Sequence, residues 1–415
     1  DTISNRSLDV RLNALMDEDS LTVSATDREM MSTEMQLSWR LINYFRETSG
    51  SIGQLEHMVP AQRYPVMELA DSMLQTNDKM YPAVTPMKGP LKAYMEYVRN
   101  GGWQPVPLVK KGLRKGQSSP GIIAVKKRLA ITGELKNNDS SALFTDDLEA
   151  AVNSFRNSHG YTQNGVLNDT IINAMNITAE ARLQQLLVNM ERMKWMPVKP
   201  QGRLILVNIP AFTLHVTDGG KRLFDMDIVV GKEGHSTTMF SGSLNQVVFS
   251  PYWNIPRSIV RKEILPAIQR NKNYLASKHM EVTGQRNGLP VIRQLPGTHN
   301  SLGRVKFLFP NSYNIYFHDT PEKRLFERDN RAYSHGCIRL KEPEKMAQFV
   351  LEGSPQWTNE KIDSAMNSGK EKFVAVKNPV PVIITYFTAW EEEGQLHFAE
   401  DVYGHDAVFM KKLFR

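Results

Sequence analysis

The chain has 415 residues, a 41% apolar share and a formal charge of +7. That length sets a prior of two to three domains, and the apolar share supplies more than one core. The basic residues are scattered, which argues against a nucleic-acid partner and suits an anionic surrounding instead. No unbroken apolar run approaches the length of about eighteen residues that a membrane-spanning helix needs. Asp1 follows no basic and apolar leader, so an exported chain is expected to have lost its signal already.

Residues 1–105 read as a helical, polar-faced scaffold. Thr26-Asp-Arg-Glu29 fits a capping box, in which Thr26 and Glu29 satisfy each other's orphan amides. Met31, Met35, Ser38, Ile42 and Phe45 follow at helical spacing, with Gly50 as the stop. A second amphipathic piece starts near Pro90 and carries Leu91, Tyr94, Met95 and Val98 to Asn100-Gly-Gly102. These methionines and aromatics read as core packing, without chemistry.

Residues 106–177 carry three helix signals. Ser119-Pro120 predicts an N-cap followed by proline at the first helical position, with Ile122, Val125 and Leu129 on one face and Gly133 as the stop. Thr145 caps a second helix, where Asp146 and Asp147 favour the positive end of the dipole. Leu148, Val152 and Phe155 line its face and His159-Gly160 ends it. Asn168 opens a third helix with Ile171, Ile172 and Met175. The run Leu113…Gly116…Val125…Leu129, then Ala151-Val-Asn-Ser-Phe155…His159-Gly160…Gly165-Val166, resembles the small peptidoglycan-binding domain. It departs from that pattern at Arg156, where glutamine commonly stands, and in a longer Lys136–Ala142 loop. The resemblance implies wall binding, and a bare spacer is the competing reading.

Residues 178–202 form a linker helix. Leu183, Leu186, Leu187, Met190 and Met193 share a stripe from Thr178 to Trp195, and Pro197 and Pro200 end it. From Arg203 the period becomes two: Leu204, Leu206 and Ile209, then Phe212, Leu214 and Val216, with a turn at Asp218-Gly-Gly220. Phe224–Val230, Gln246–Phe249, Val380–Ala389 and Leu396–Val402 continue the strand pattern, making 203–415 a β-rich domain. The pattern lapses from Pro256 to about Leu302, where Ser258–Lys272 reads as helical and basic. This insertion, 257–302, is a lid or a solvated surface loop. Tyr252 and Trp253 just before it are candidates for one wall of a substrate cleft, with core packing as the alternative.

Cys337 is the only cysteine, so no internal disulfide exists. It sits in Tyr333-Ser-His-Gly-Cys-Ile-Arg-Leu340, with His318 nineteen positions upstream in Ile315-Tyr-Phe-His-Asp-Thr320. A thiol that attacks acyl groups needs a nearby base, and the histidines offer one. A buried inert cysteine is a weaker reading, since glycine, histidine and arginine surround it. A metal site is weaker too: His318, Asp319, His335 and Cys337 are ligand types, but no Cys-x-x-Cys accompanies them.

Ser334-His-Gly-Cys-Ile-Arg339 with His318 resembles the signature of the L,D-transpeptidases, and the β-rich segments resemble their catalytic domain. The resemblance implies a periplasmic, multi-domain α+β enzyme that cross-links peptidoglycan through a cysteine acyl-enzyme, needing no cofactor or metal. It assigns Cys337 as nucleophile and His318 as base. A carbonyl in the Ser334 segment would orient the imidazole, Gly336 and Cys337 amides would hold the oxyanion, and His335 would shape the site. Arg339 is a candidate for gripping a stem carboxylate, or a structural arginine; Tyr316 is a further candidate contact. The implied partners are tetrapeptide stems, as donor and acceptor in 3→3 links, and carbapenems as inhibitors. A cysteine hydrolase and a non-catalytic wall-binding protein are the alternatives.

Overall fold

The computed structural model describes residues 63–109, 111–137, 139–196 and 202–415. The capping box at Thr26, the Met31–Phe45 stripe and the prolines at 197 and 200 lie outside the described residues. Val66–Leu74 (α1) and Lys88–Arg99 (α2) begin the described chain. In α2, Leu91, Tyr94 and Met95 recur at intervals of three and four, so they share one face and are buried together.

Gly121–Ile131 (α3), Asp146–Ser158 (α4) and Asp169–Met175 (α5) enclose a core of their own, with Ile122, Leu129, Leu148, Phe155 and Ile172 at its centre. The hydroxyl of Thr145 accepts the Leu148 amide at 3.3 Å, and the Asn168 side chain accepts that of Ile171 at 3.1 Å, both as expected. Ser119 makes no such cap; α3 begins one residue later than read, with Pro120 at its N-cap. Arg156 is buried and binds the carbonyls of Thr162 and Val166, fastening the loop that follows α4. From that loop Thr162 donates its amide and hydroxyl to Asp329, and Tyr161 donates to Glu400.

Ala179–Lys194 (α6) packs its leucine and methionine stripe on α1 and α2. Four more of its buried residues, Arg182, Gln185, Asn189 and Arg192, are polar or charged. Gln185 donates to the Thr388 and Ala399 carbonyls, Asn189 exchanges bonds with Thr388, and Arg192 pairs with buried Asp406. The helical layer is thereby tied to the end of the chain by buried, fully directional bonds. No helix among the described residues is long and apolar enough to cross a membrane.

The strands are β1 (Leu204–Asn208), β2 (Thr213–Asp218), β3 (Lys221–Gly231), β4 (Phe240–Phe249), β8 (Val305–Leu308), β9 (Phe317–His318), β10 (Ala332–Ser334), β11 (Ile338–Leu340) and β12 (Lys372–Thr385). Among the described residues they form one sheet in the order β10-β3-β11-β9-β8-β4-β12-β1-β2, and β2 pairs back onto β3. That last pairing closes the sheet on itself, leaving short β10 as the edge strand. Inside lie Ile205, Val207, Val230, Phe249, Phe307, Phe317 and Ile338. Leu204 and Leu206, which set the period of two in β1, point away from that interior, against Met196, Ile383 and Phe387. Both faces of β1 are covered, so simple alternation could not choose between them. Pro343–Leu351 (α10) and Asn359–Met366 (α11) follow β11. The hairpin β13 (Ala389–Glu392) with β14 (Gln395–Phe398), then His405–Leu413 (α12), join the core of α1, α2 and α6.

The insertion after β4 is folded. Arg257–Ile259 (α7), a wide π turn at Val260–Ile264, Leu265–Arg270 (α8) and Tyr274–Ser277 (α9) supply the expected helical stretch. The expected lapse of strand pattern is wrong beyond it: β6 (Met280–Arg286) and β7 (Leu289–Gln294) make a hairpin and bind β5 (Trp253–Asn254). Its two-residue turn, Asn287-Gly288, has positive φ at both positions, the conformation that suits Asn-Gly best. Ile255, Ile259, Val260, Ile264 and Ile292 form a separate small core.

Candidate active site

Parallel pairing of β9 with β11 sets Ile338 beside Phe317 and Arg339 beside His318. Side chains alternate across a strand, so Phe317 and Ile338 enter the core while Tyr316, His318, Cys337 and Arg339 share the opposite face. The candidate base, the thiol and two candidate contacts are thus set on one face through register alone.

Cys337 is half-buried and its thiol donates to the Asn314 carbonyl at 3.7 Å. Burial pushes the thiol up from its ordinary pKa, opposed by hydrogen bonds from Tyr316 and the charge of Arg339. The Tyr316 phenol is itself pushed up by burial and by the adjacent sulfur. His318 is buried and its pKa is pushed down to about 3, first by burial and then by Arg339. Its Nδ1 lies 2.5 Å from the Asp319 carbonyl. A carbonyl only accepts, so Nδ1 carries the proton and Nε2 is left with a lone pair. No hydrogen bond joins His318 to Cys337 in this structure.

Ser334 does not orient the imidazole. Its carbonyl accepts the Lys232 amide at 2.9 Å, so it is spent on backbone pairing. Its hydroxyl donates to the Cys337 carbonyl at 2.5 Å and accepts the Gly336 amide at 3.1 Å, stapling the turn. The same bond corrects the expected oxyanion pair: the Gly336 amide is engaged, and the Cys337 amide has no acceptor among the described residues. Gly336 has φ +111°, which a side chain rarely tolerates.

His335 is exposed and donates Nε2–H to Glu263 at 2.9 Å, reaching the π turn of the insertion; its ring also meets that of His235. Arg339 binds Glu322 at 2.9 Å, so the carboxylate it grips here belongs to the protein. Tyr252 and Trp253 do not reach the thiol's surroundings by their contacts. The Arg293 guanidinium lies over the Tyr252 ring, and Trp253 pairs with Gln294 and packs in the insertion's core, because β5 is that sheet's edge. Among the described residues no group of three or more His, Cys, Asp or Glu is placed to hold a metal ion.

Residues 202–361 match the family model for the YkuD, or L,D-transpeptidase, catalytic domain. That stretch is similar to an L,D-transpeptidase catalytic domain. A Haemophilus influenzae protein provisionally named L,D-transpeptidase is 30% identical, over 54% of this chain and 48% of its own length. The chain therefore spans about half of that curated relative. Solved L,D-transpeptidases from Mycobacterium smegmatis (17% identity, TM-score 0.25, 44% of this chain and 58% of that one) and Stackebrandtia nassauensis (13%, 0.25, 68% and 97%) are also similar. At those scores the structural likeness carries no argument. Thr237, whose hydroxyl binds the Gly336 carbonyl, and Tyr403, which binds Thr237 and Gly231, were not read as site residues; only the fold brings them near.

Proposed function

We propose that this chain is an L,D-transpeptidase that forms 3→3 peptidoglycan cross-links through an acyl-enzyme on Cys337. The observation that supports it best is the common face of Tyr316, His318 and Cys337, with the His318 Nε2 lone pair uncommitted. At rest the proton stays on sulfur, because burial disfavours both thiolate and imidazolium. A bound tetrapeptide stem changes that balance. His318 Nε2 takes the thiol proton as sulfur attacks the carbonyl of the third residue, and the Cys337 amide receives the developing oxyanion. Collapse breaks the amide bond and returns the proton to the departing D-alanine amine. The amine of a second stem then attacks the thioester, losing a proton to His318 and releasing Cys337.

The three-helix unit is read as a wall-binding module and the insertion as a lid over the thioester, contacting the turn through Glu263 and His335. A periplasmic site of action accords with a wall substrate. Purified protein incubated with disaccharide-tetrapeptides is expected to give 3→3 dimers and to gain the mass of a carbapenem on Cys337; Cys337→Ala is expected to do neither while keeping its melting behaviour. Dimers made by Cys337→Ala would overturn the assignment, and tripeptides alone from the wild type would indicate a hydrolase.

A further inference from the structure

We propose that Thr237 and Tyr403 are positioning residues that aim the Cys337 amide at the developing oxyanion, an inference that rests on Cys337 being the nucleophile. Thr237 follows β3 and lies against the turn. Its Oγ1 accepts the Gly231 amide at 2.9 Å and lies 2.8 Å from the Gly336 carbonyl. A hydroxyl has one proton, and an amide can only donate, so that proton goes to Gly336. Tyr403 repeats the logic one step out: its Oη accepts the Thr237 amide at 3.3 Å and donates to the Gly231 carbonyl at 2.6 Å. Each hydroxyl thus accepts from an amide and donates to a carbonyl: the Thr237 relay ends on the carbonyl of the Gly336–Cys337 peptide, and the Tyr403 relay clasps the backbone of Thr237 and Gly231 behind it.

That peptide is trans and planar, so its N–H points opposite to its C=O. Pinning the carbonyl on Thr237 therefore fixes the direction of the Cys337 N–H. The Ser334 staple holds the two flanking groups, the Gly336 amide and the Cys337 carbonyl. Close backbone approach makes the arrangement possible: a Cβ at Gly231 would fall 2.0 Å from the His235 carbonyl oxygen and 3.1 Å from the Gly336 Cα. Burial pushes the Tyr403 phenol up, which keeps it a proton donor.

Tyr403 lies beyond the 202–361 match. It belongs to the segment between β14 and α12, where its ring stacks on Tyr386 and its amide donates to the Tyr386 hydroxyl at 2.8 Å. Tyr386 in turn donates to Asp401 at 2.6 Å. The C-terminal region that packs on the helical layer thus completes the catalytic turn from outside the matched domain.

The test separates oxyanion positioning from thiol reactivity. Acylation of Cys337 by imipenem needs an oxyanion donor, whereas alkylation by iodoacetamide does not. Thr237→Val is expected to slow imipenem acylation by about 10- to 100-fold, below the loss from deleting a donor outright, with alkylation within about 2-fold of wild type. Thr237→Ser is expected to restore most of the acylation rate. Tyr403→Phe, which removes one oxygen and keeps the ring, should slow acylation by about 3- to 10-fold and decides the matter if Thr237→Val does not fold. Wild-type acylation rates in the folded variants, or acylation and alkylation falling together, would overturn the proposal. A wild-type protein that alkylates at Cys337 but is never acylated there would instead sink the nucleophile reading itself.

Discussion

The three-helix unit and the Cys337 turn are both fastened by hydroxyl and amide bonds to the backbone, yet over very different distances along the chain. Thr145 and Asn168 each bind an amide three residues away. Thr237 reaches a carbonyl 99 residues away, and Tyr403 one 172 away. The first kind of bond forms as soon as its helix does and stabilises only that helix. The second exists only after the sheet has closed and the C-terminal segment has docked. A turn held from remote places is rigid where it must aim a donor, and it transmits any loosening of those places to the chemistry. The caps of the three-helix unit have no such dependence, though its Tyr161–Thr162 loop does reach Glu400 and Asp329, and each prediction that follows bears on this contrast.

The largest effect after loss of the thiol is expected at His318. His318→Asn should lower carbapenem acylation by roughly 10²- to 10⁴-fold, the usual contribution of a positioned base. Because the wild-type imidazole titrates near pH 3, acylation by the wild type should show no step at the ordinary histidine pKa; a step near pH 6.5 would show that His318 is not held neutral. The stability sign follows. As pH falls, the unfolded chain protonates His318 first, so its contribution is whole above about pH 6.5 and is lost between there and about pH 3, at most roughly 5 kcal/mol. Buried His159, pushed down as well, works in the same direction. Acid unfolding of His318→Asn should therefore be shallower than that of the wild type in this window. Equal slopes would refute the linkage.

The same contrast explains what was legible in the sequence. The caps at Thr145 and Asn168, the stripes of α2 and α6 and the thiol with its histidine are written in adjacent residues. So is the β6–β7 hairpin, whose Asn287-Gly288 signal was overlooked beside a basic helical run. The role of Ser334 was misassigned because the acceptor that orients His318 is the next carbonyl, Asp319, and no spacing reveals it. The contacts of Tyr252, Trp253 and Arg339 depend on Arg293, Gln294 and Glu322, partners set by the fold. Thr237 and Tyr403 carried no sign of a role at the Cys337 turn.

The insertion stands between the two extremes, with a core of its own and a single described ion pair to the turn, Glu263 with His335. That pair is exposed and worth about 1 kcal/mol at most. Replacing residues 257–299 by a short Gly/Ser linker should leave Cys337 reactive toward a carbapenem. If the insertion covers the thioester, water gains access when it is removed, and products should shift several-fold from dimers to tripeptides. An unchanged ratio would make it a surface appendage.

The smallest effect should come from the local bonds. In Thr145→Ala the Leu148 amide at the start of α4 loses its acceptor, and such caps are worth about 1 kcal/mol. The cost falls on a unit whose core, from Val106 to Met175, is separate from the sheet's. Carbapenem acylation should therefore match the wild type, while hydrogen exchange in α4 speeds by about 5-fold, the factor that 1 kcal/mol represents. Binding to isolated sacculi tests the unit's proposed role in the same protein. It should fall only when the whole unit, residues 108–176, is excised, because a frayed cap leaves the folded surface dominant. Sacculus binding that survives the excision would remove the wall-binding role. Acylation that drops in Thr145→Ala would show that the loop from Tyr161 to Thr162, through Glu400 and Asp329, carries local changes in the helical unit to the thiol, and would end the contrast drawn here.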